Sequence, residues 1–347
     1  MLPRIQAEGA GSQRVAVILK GRARGVSPKV LRRIGRLMPF DNLYVSRSLG
    51  DSSAIARDVV ERGFDAVLLG GGDGTFVQCL TDLRTHARCR GAALPSLGVL
   101  RLGTGNAMAS TLGASPPTVE GLRRDLARAQ SIARNPLNLI EVDGRLTPFA
   151  GIGLDAQILE DFQAMTKALD AFGIGRGLGP GVRYALAVGL KSIPRFLARE
   201  LQEVVAINLG SPAYRMGVNG ERIGEPIAQG QILFRGRCSI ASGSTIPYYG
   251  LGLKMFPFAQ SLPDRFHLRC ASSSAVEILG NLPSVWRGEY GSDTVGDFLV
   301  DKVELRLEHP APIQIGGDLQ PIPRDRLVLS LAPRAVTVIG ARPATLN

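Results

Sequence analysis

Short apolar runs alternate with amphipathic stretches through the first third of the chain. Val15 to Leu19, Ala66 to Leu69 and Leu97 to Leu100 have the length and uniform apolarity of strands buried on both faces. Between them, Val30, Leu31, Ile34, Leu37 and Met38 form one helical stripe and Arg32, Arg33 and Arg36 the opposite face. A second helix is predicted with Asp51 or Ser52 as N-cap, Ile55, Ala56, Val59 and Val60 as its buried face, and Gly63 as its stop. This βαβα order predicts a parallel sheet flanked by helices.

Pro116 and Pro117 interrupt the pattern, a basic helical stretch from Val119 to Arg134 follows, and Asn135-Pro136 marks a boundary. Beyond it the segments read as short strands: Val204 to Leu209, Gln231 to Phe234, Phe266 to Cys270, Val303 to Leu307, Ile313 to Ile315, Leu327 to Leu331 and Val336 to Ile339. Val303, Leu305 and Leu307 alternate with Glu304, Arg306 and Glu308, the period of a half-exposed strand, and Asn219-Gly220 signals a hairpin turn. The expected fold is an N-terminal parallel α/β domain over residues 1–136. A C-terminal β-sandwich-like domain follows over 137–347, its last strand or two returning to pack on the first. A length of 347 residues suits two cores.

Composition narrows the class. With 45% hydrophobic and 20% charged residues, the chain is expected to be globular rather than disordered. The most apolar region, Val182 to Leu197, is broken by Arg183, Lys191 and Arg195, so no segment is expected to span a membrane. The apolar run at Val15 lacks the flanks of a signal peptide, which points to the cytoplasm. Four cysteines and three histidines contain no Cys-x-x-Cys pair, against a disulfide framework or a zinc ribbon. In the run Arg265 to Cys270, a strand would turn Cys270 inward with Phe266 and Leu268, and His267 to the other face. Cys79, His86 and Cys89 read as a buried thiol and an exposed imidazole rather than a metal site. The 41 Lys and Arg against 30 Asp and Glu leave a net charge of +11, which implies an acidic partner. Only 5% aromatic residues and no nucleic-acid motif disfavour DNA or RNA.

Two glycine loops carry the chemistry. Gly71-Gly72-Asp73-Gly74-Thr75 follows the strand ending at Leu69 and opens a helix, and Gly103-Thr104-Gly105-Asn106 follows the strand ending at Leu100 and opens another. Glycines let backbone N–H groups approach phosphate oxygens, and a helix N-terminus adds partial positive charge. Thr104 and Asn106 would add hydroxyl and amide contacts. A carboxylate at Asp73, among amides facing phosphate, suits Mg²⁺ binding or proton acceptance from an attacking hydroxyl. Loops at the carboxyl ends of parallel strands can share one crevice. No Walker lysine and no Gly-x-Gly-x-x-Gly follows a strand.

These loops, with Gly151-Ile-Gly-Leu-Asp155-Ala156, Pro247-Tyr-Tyr-Gly250 and Pro257-Phe-Ala259, resemble the diacylglycerol kinase catalytic-domain family, which includes bacterial soluble lipid kinases and the sphingosine and ceramide kinases. The resemblance implies a nucleotide-binding α/β domain of the NAD kinase and diacylglycerol kinase type, a β-rich lipid domain and a site in the cleft between them. It also implies ATP-dependent phosphorylation of a lipid hydroxyl with Mg²⁺, diacylglycerol being the first acceptor to consider. Asp73 is then expected to serve metal and acid-base work. Lys20, Gly21, Gly71, Gly72, Gly74, Thr75, Gly103, Thr104, Gly105 and Asn106 are expected to hold the nucleotide.

The family's Asp-Gly-Glu corresponds here to Gln314-Ile-Gly-Gly-Asp318, placing Gly316 in the Asp position and Asp318 in the Glu position as a second base. The alternative register puts Gln320 there, and an amide cannot act as a base. Lys20-Gly21 stands where the family has an Asn, and Lys20 would meet a phosphate as a cation. Ala107 replaces the Asp after the second loop. A non-catalytic lipid-binding homologue and an NAD kinase are the alternatives, although no Asn in the chain is followed by Glu, the pair NAD kinases carry. Gly173 to Gly181 reads as a connector near a lipid entrance. Arg123, Arg124, Arg128 and Arg134 read as a solvated helix face that would favour an anionic bilayer, placing the protein in the cytoplasm or at the inner membrane surface. A homodimer is left open.

Overall fold

A computed structural model describes residues 13–21, 23, 25–103, 105–131, 133–153, 201–250, 252–273, 277 and 280–340. Thr104, Leu154 to Ala156, and the segments at Asp161 to Phe172, Gly173 to Gly181 and Val182 to Leu197 lie outside the described residues. The described residues divide into two compact units, 13–137 together with 334–340, and 138–333.

In the first unit, β1 (Val15–Lys20), β2 (Leu43–Ser46), β3 (Ala66–Gly71) and β4 (Ser96–Arg101) form a parallel sheet in the order β4-β3-β1-β2. Their central residues are buried on both faces because helices cover each side. Val15, Val17, Leu19, Leu68 and Leu100 pack against Val30 and Ile34 of α1 (Pro28–Gly35) and Leu122, Leu126 and Ala129 of α5 (Val119–Gln130). On α2 (Leu49–Glu61) the N-cap is Ser48 rather than Asp51 or Ser52. Ser48 and Asp51 form a reciprocal capping box, in which the Asp51 carboxylate accepts from the Ser48 N–H at 3.2 Å. Asp51 thus sits three residues inside the helix, and a capping box hides its start from a search for the residue nearest the apolar stripe. The basic helix ends at Gln130, so Arg134 is not on its face: the Arg134 side chain folds back to donate to the Ala129 carbonyl at 2.9 Å. Arg128 likewise donates to the Gly113 carbonyl at 3.0 Å.

The second unit is an antiparallel sandwich. One sheet runs β11 (Ile232–Cys238), β8 (Gln202–Asn208), β15 (Lys302–Ala311) and the first part of β18 (Arg324–Val338). The other runs β10 (Arg222–Ile227), β9 (Ala213–Met216), β14 (Val295–Val300), β13 (Phe266–Ala271), β12 (Ile240–Ser244), β7 (Phe149–Gly153), β16 (Ile313–Ile315) and β17 (Asp318–Leu319). Val204, Ala206, Leu305 and Leu327 from one sheet meet Ile152, Phe266, Leu268, Cys270 and Phe298 from the other in a single core. The hairpin between β9 and β10 turns at Asn219-Gly220, with Gly220 at φ +87°.

Four details differ from the pattern read along the chain. Asn135-Pro136 lies inside β5 (Asn135–Val142), which forms a hairpin with β6 (Arg145–Thr147). Leu327 to Leu331 and Val336 to Ile339 fall largely on one continuous strand, β18. Its residue Val338 pairs with Leu97 in the first unit. Glu304 is only 1% exposed despite its polar place in the alternation, because Arg306 and Arg326 both donate to its carboxylate. Burial opposes ionisation there, and the hydrogen bonds from Arg306 and Arg326 outweigh it and hold the carboxyl below its usual value. His267 does face away from Cys270, yet that face is not solvent: His267 is fully buried. No described helix is long and apolar enough to cross a membrane.

Candidate functional site

The first glycine loop begins where β3 ends. Gly72 is the N-cap of the 18-residue α3 (Asp73–Arg90), with φ −90° and no side-chain cap, and the Thr75 and Phe76 N–H groups donate to its carbonyl. Phe76, Val77, Leu80 and Leu83 anchor α3 in the core, so its first turn is held by a rigid element at the carboxyl end of the sheet. The first N–H groups of such a helix have no partner within it.

The second loop closes on itself. Asn106 accepts from the Gly103 N–H through Oδ1 at 3.0 Å and donates to the Gly103 carbonyl through Nδ2 at 2.8 Å. It does so at φ +56°, the left-handed region that Asn tolerates better than most residues. The amide expected to reach a nucleotide therefore shapes its own loop. Gly105 lies within this turn.

Backbone packing joins the loops. A Cβ on Gly103 would stand 2.5 Å from the Gly72 Cα and 2.6 Å from the Gly71 carbonyl oxygen. Gly25, after β1, donates to the Leu102 carbonyl at 3.0 Å, and a Cβ there would meet Leu102 backbone at 2.7 Å. Three loops from β1, β3 and β4 thus converge through glycines that permit their approach. Gly21 turns toward β2, donating to the Ser46 carbonyl at 2.8 Å, while Lys20 closes β1 half-buried.

Asp73 ties the first loop to the second. Its Oδ2 accepts from the Ala107 N–H at 3.1 Å and its Oδ1 from the Met108 N–H at 2.9 Å, the first amides of α4 (Ala107–Thr111). Asn106, the N-cap of α4, makes no side-chain cap bond, and Asp73 supplies the missing acceptor from another helix. Burial pushes its carboxyl up from the ordinary value, opposed by the Met108 and Ala107 amides. Both carboxylate oxygens face these amides, and among the described residues no three His, Cys, Asp or Glu side chains gather into a metal site. Each Asp73 oxygen keeps a second lone pair, and Mg²⁺ is usually held by one or two carboxylates together with substrate phosphates, so Asp73 would hold it only in company with the nucleotide.

Asp318 belongs to the second unit. It is exposed at the start of β17, paired with Ile315 across a two-residue turn of Gly316 and Gly317 at φ +59° and +84°. Positive φ at both central residues is the type I′ hairpin geometry, which explains a glycine at 316. Gln314 accepts from the Gly317 N–H at 3.0 Å, and Gln320 pairs with Arg145 at 3.4 Å. The structure therefore assembles Lys20, Gly71 to Thr75, Gly103, Gly105 and Asn106 in the first unit, and places Asp318 on a separate hairpin.

Arg101 was missed in the sequence, although a cation ending an apolar strand two residues before a glycine loop is a readable signal. It pairs in register with Gly71. The buried group His267, Arg269 and Asp297 was also missed: Arg269 donates twice to Asp297, at 2.7 and 2.9 Å, and His267 Nε2 lies 2.8 Å from the same carboxylate.

Residues 20–137 match the diacylglycerol kinase catalytic domain. The chain is 33% identical over 163 residues to the probable lipid kinase YegS-like of Chromohalobacter salexigens, spanning 44% of this chain and 48% of that protein. It is 38% identical over 64 residues to the probable lipid kinase YegS of Escherichia fergusonii, spanning 18% of this chain and 20% of that one. The matched segments thus span about half the length of these curated relatives or less. The fold superposes on a diacylglycerol kinase from Bacillus anthracis str. Sterne with a TM-score of 0.62 at 13% identity, covering 96% of this chain and 98% of that one. Another chain from the same organism superposes with a TM-score of 0.64 at 15% identity, covering 95% and 97%.

Proposed function

We propose that this chain, which belongs through residues 20–137 to the diacylglycerol kinase catalytic-domain family, is an ATP-dependent lipid kinase that converts diacylglycerol to phosphatidate. The observation that carries the reading is the backbone junction of two glycine loops, Gly103 against Gly72, at the carboxyl ends of adjacent parallel strands. In open α/β sheets that edge is where phosphorylated ligands bind.

The first-turn amides of α3 and the glycine loops hold the ATP phosphates, and Lys20 adds a cation at the end of β1. Asp73 acts on the reaction through loop position: by capping α4 it fixes the spacing of the loop carrying Gly103, Gly105 and Asn106. The acceptor hydroxyl attacks the γ-phosphorus in line, the bond to the β-phosphate bridging oxygen breaks, and ADP leaves. Asp318 accepts the hydroxyl proton in this reading. The net charge of +11 supports attachment of a cytoplasmic protein to an anionic bilayer, where such an acceptor resides.

Incubation of purified protein with γ-labelled ATP, Mg²⁺ and, separately, diacylglycerol, sphingosine, ceramide, an undecaprenol-like alcohol and NAD tests this. Label in diacylglycerol is the expected result. Label in another lipid alcohol moves the acceptor, and label in NAD alone or in nothing overturns the lipid kinase reading.

A further inference from the structure

Strand register sets three positions in one row at the carboxyl end of the first unit's sheet. Leu19 pairs with Gly70 and Gly71 with Arg101, so Lys20, Gly71 and Arg101 follow one another across β1, β3 and β4 on the same face. Gly71 offers no side chain, and Thr75 fills its place: the Thr75 Cβ lies 2.7 Å from where a Gly71 Cβ would stand. Across the sheet the row reads ammonium, hydroxyl, guanidinium. Strands spaced about 4.8 Å apart put the two cationic positions about 10 Å apart at the backbone, a gap that two long side chains close over a bound anion.

Arg101 is placed for such a role. It is half-buried, and its Nε donates to the Ala114 carbonyl at 3.3 Å, which orients the planar guanidinium. Neither Lys20 nor Arg101 has a carboxylate partner among the described residues. The same edge carries the α3 N-terminus, whose partial positive charge repels unpaired cations unless an anion sits among them. Among the described residues the Ala114 carbonyl engages one N–H of Arg101 and no other acceptor takes the rest.

We propose that Arg101 is a phosphate-binding residue which, with Lys20 and Thr75, grips the polyphosphate of the nucleotide. This rests on the kinase reading above. Guanidinium suits the task because its fork presents paired N–H groups to phosphate oxygens, whereas lysine acts as a point charge.

The test is calorimetric titration of the full chain with ATP and with inorganic tripolyphosphate, for wild type, R101Q, R101K and R36Q. Arg36 lies exposed on the surface just past α1, so R36Q removes the same charge away from the site. R101Q is expected to weaken both ligands about tenfold or more and to flatten the salt dependence of binding, with R36Q unchanged. R101K is expected to fall about threefold below wild type, and it decides the matter if R101Q does not fold. Wild-type affinity and salt dependence in a folded R101Q, or wild-type affinity in R101K where only that variant folds, would overturn the role of Arg101 and leave the kinase reading standing. Wild-type protein that binds neither ATP nor tripolyphosphate would overturn both.

Discussion

The carboxylate of Asp73 and the backbone N–H of Met108 lie 2.9 Å apart, joining the first turn of an 18-residue helix to the first turn of a five-residue one. A helix as short as α4 has little intrinsic stability. Its start is fixed from outside, by the same residue that opens α3. The two glycine loops are therefore tied together by Asp73, and any ligand spanning them meets a spacing set before it arrives.

Asp73→Asn tests this coupling. The amide retains one acceptor but turns an NH₂ donor toward one of the two α4 amides, leaving a buried donor unsatisfied. A cost of about 1–3 kcal/mol is expected in urea unfolding. ATP affinity should fall with it, and turnover with bound ATP should fall further. A variant of unchanged stability and turnover removes Asp73 from both roles.

Gly103 and Gly72 make a contrasting pair. The Cβ of Gly103→Ala would meet Gly72 Cα at 2.5 Å and Gly71 carbonyl oxygen at 2.6 Å, both backbone atoms that cannot rotate away. Gly72 sits at φ −90° with nothing within 4 Å of its Cβ direction. Gly103→Ala should lower the melting temperature by several degrees, corresponding to a loss of about 1–3 kcal/mol, and weaken ATP at least about tenfold. Gly72→Ala should melt near wild type. Equal melting temperatures for the two would show that the loops are not packed as described.

How far the sequence carries is visible at particular residues. Val15 to Leu19, Ala66 to Leu69 and Leu97 to Leu100 are legible because a parallel strand covered on both faces has only apolar neighbours to satisfy. Ile240 to Ser244 is not, since Ser-Gly-Ser reads as a loop. It is a strand because β7 and β13 pair with it on both sides, and Gly243 admits Phe266 and Leu329 against its backbone. The glycine of the Gly151 motif is similar: Ser242 occupies the space a Cβ there would need. The candidate site is legible as residue types and order, because glycines before helices have a local cause. The partners of Asp73 and Asn106 are not, because which donors they meet depends on a cap that α4 lacks and on a left-handed turn, neither written in the spacing.

The Asp318 hairpin separates chemistry from binding. Gly317 stands at φ +84°, so Gly317→Ala should strain the turn by about 1 kcal/mol and displace Asp318 from its register with Ile315. Asp318→Asn leaves the turn intact. If Asp318 is the base, this variant should bind ATP like wild type yet lose about a hundredfold or more in turnover. Wild-type turnover in Asp318→Asn would exclude it.

The buried group in the second unit predicts an acid limit to stability. Burial works against the Asp297 charge, but Arg269, bonded at 2.7 and 2.9 Å, and His267 outweigh it and hold the carboxyl well below the usual carboxylate range. His267 is driven the other way by burial, which keeps the ring neutral against the pull of Asp297, and its value falls below the ordinary imidazole. Both folded values are depressed, so both contributions share one sign: present above the unfolded pKa and lost as pH falls through the window beneath it. For His267 the loss begins below about pH 6.5 and for Asp297 below about pH 4. Urea unfolding from pH 8 to pH 3 should therefore show stability declining in two steps. Asp297→Asn leaves the Arg269 charge buried without its counterion and should cost about 3–5 kcal/mol at pH 7. Below pH 4 its curve should fall less steeply than wild type, the remaining decline coming from carboxyls such as Glu304 that are also held below their usual value. A parallel decline in both proteins would place the acid sensitivity elsewhere in the chain.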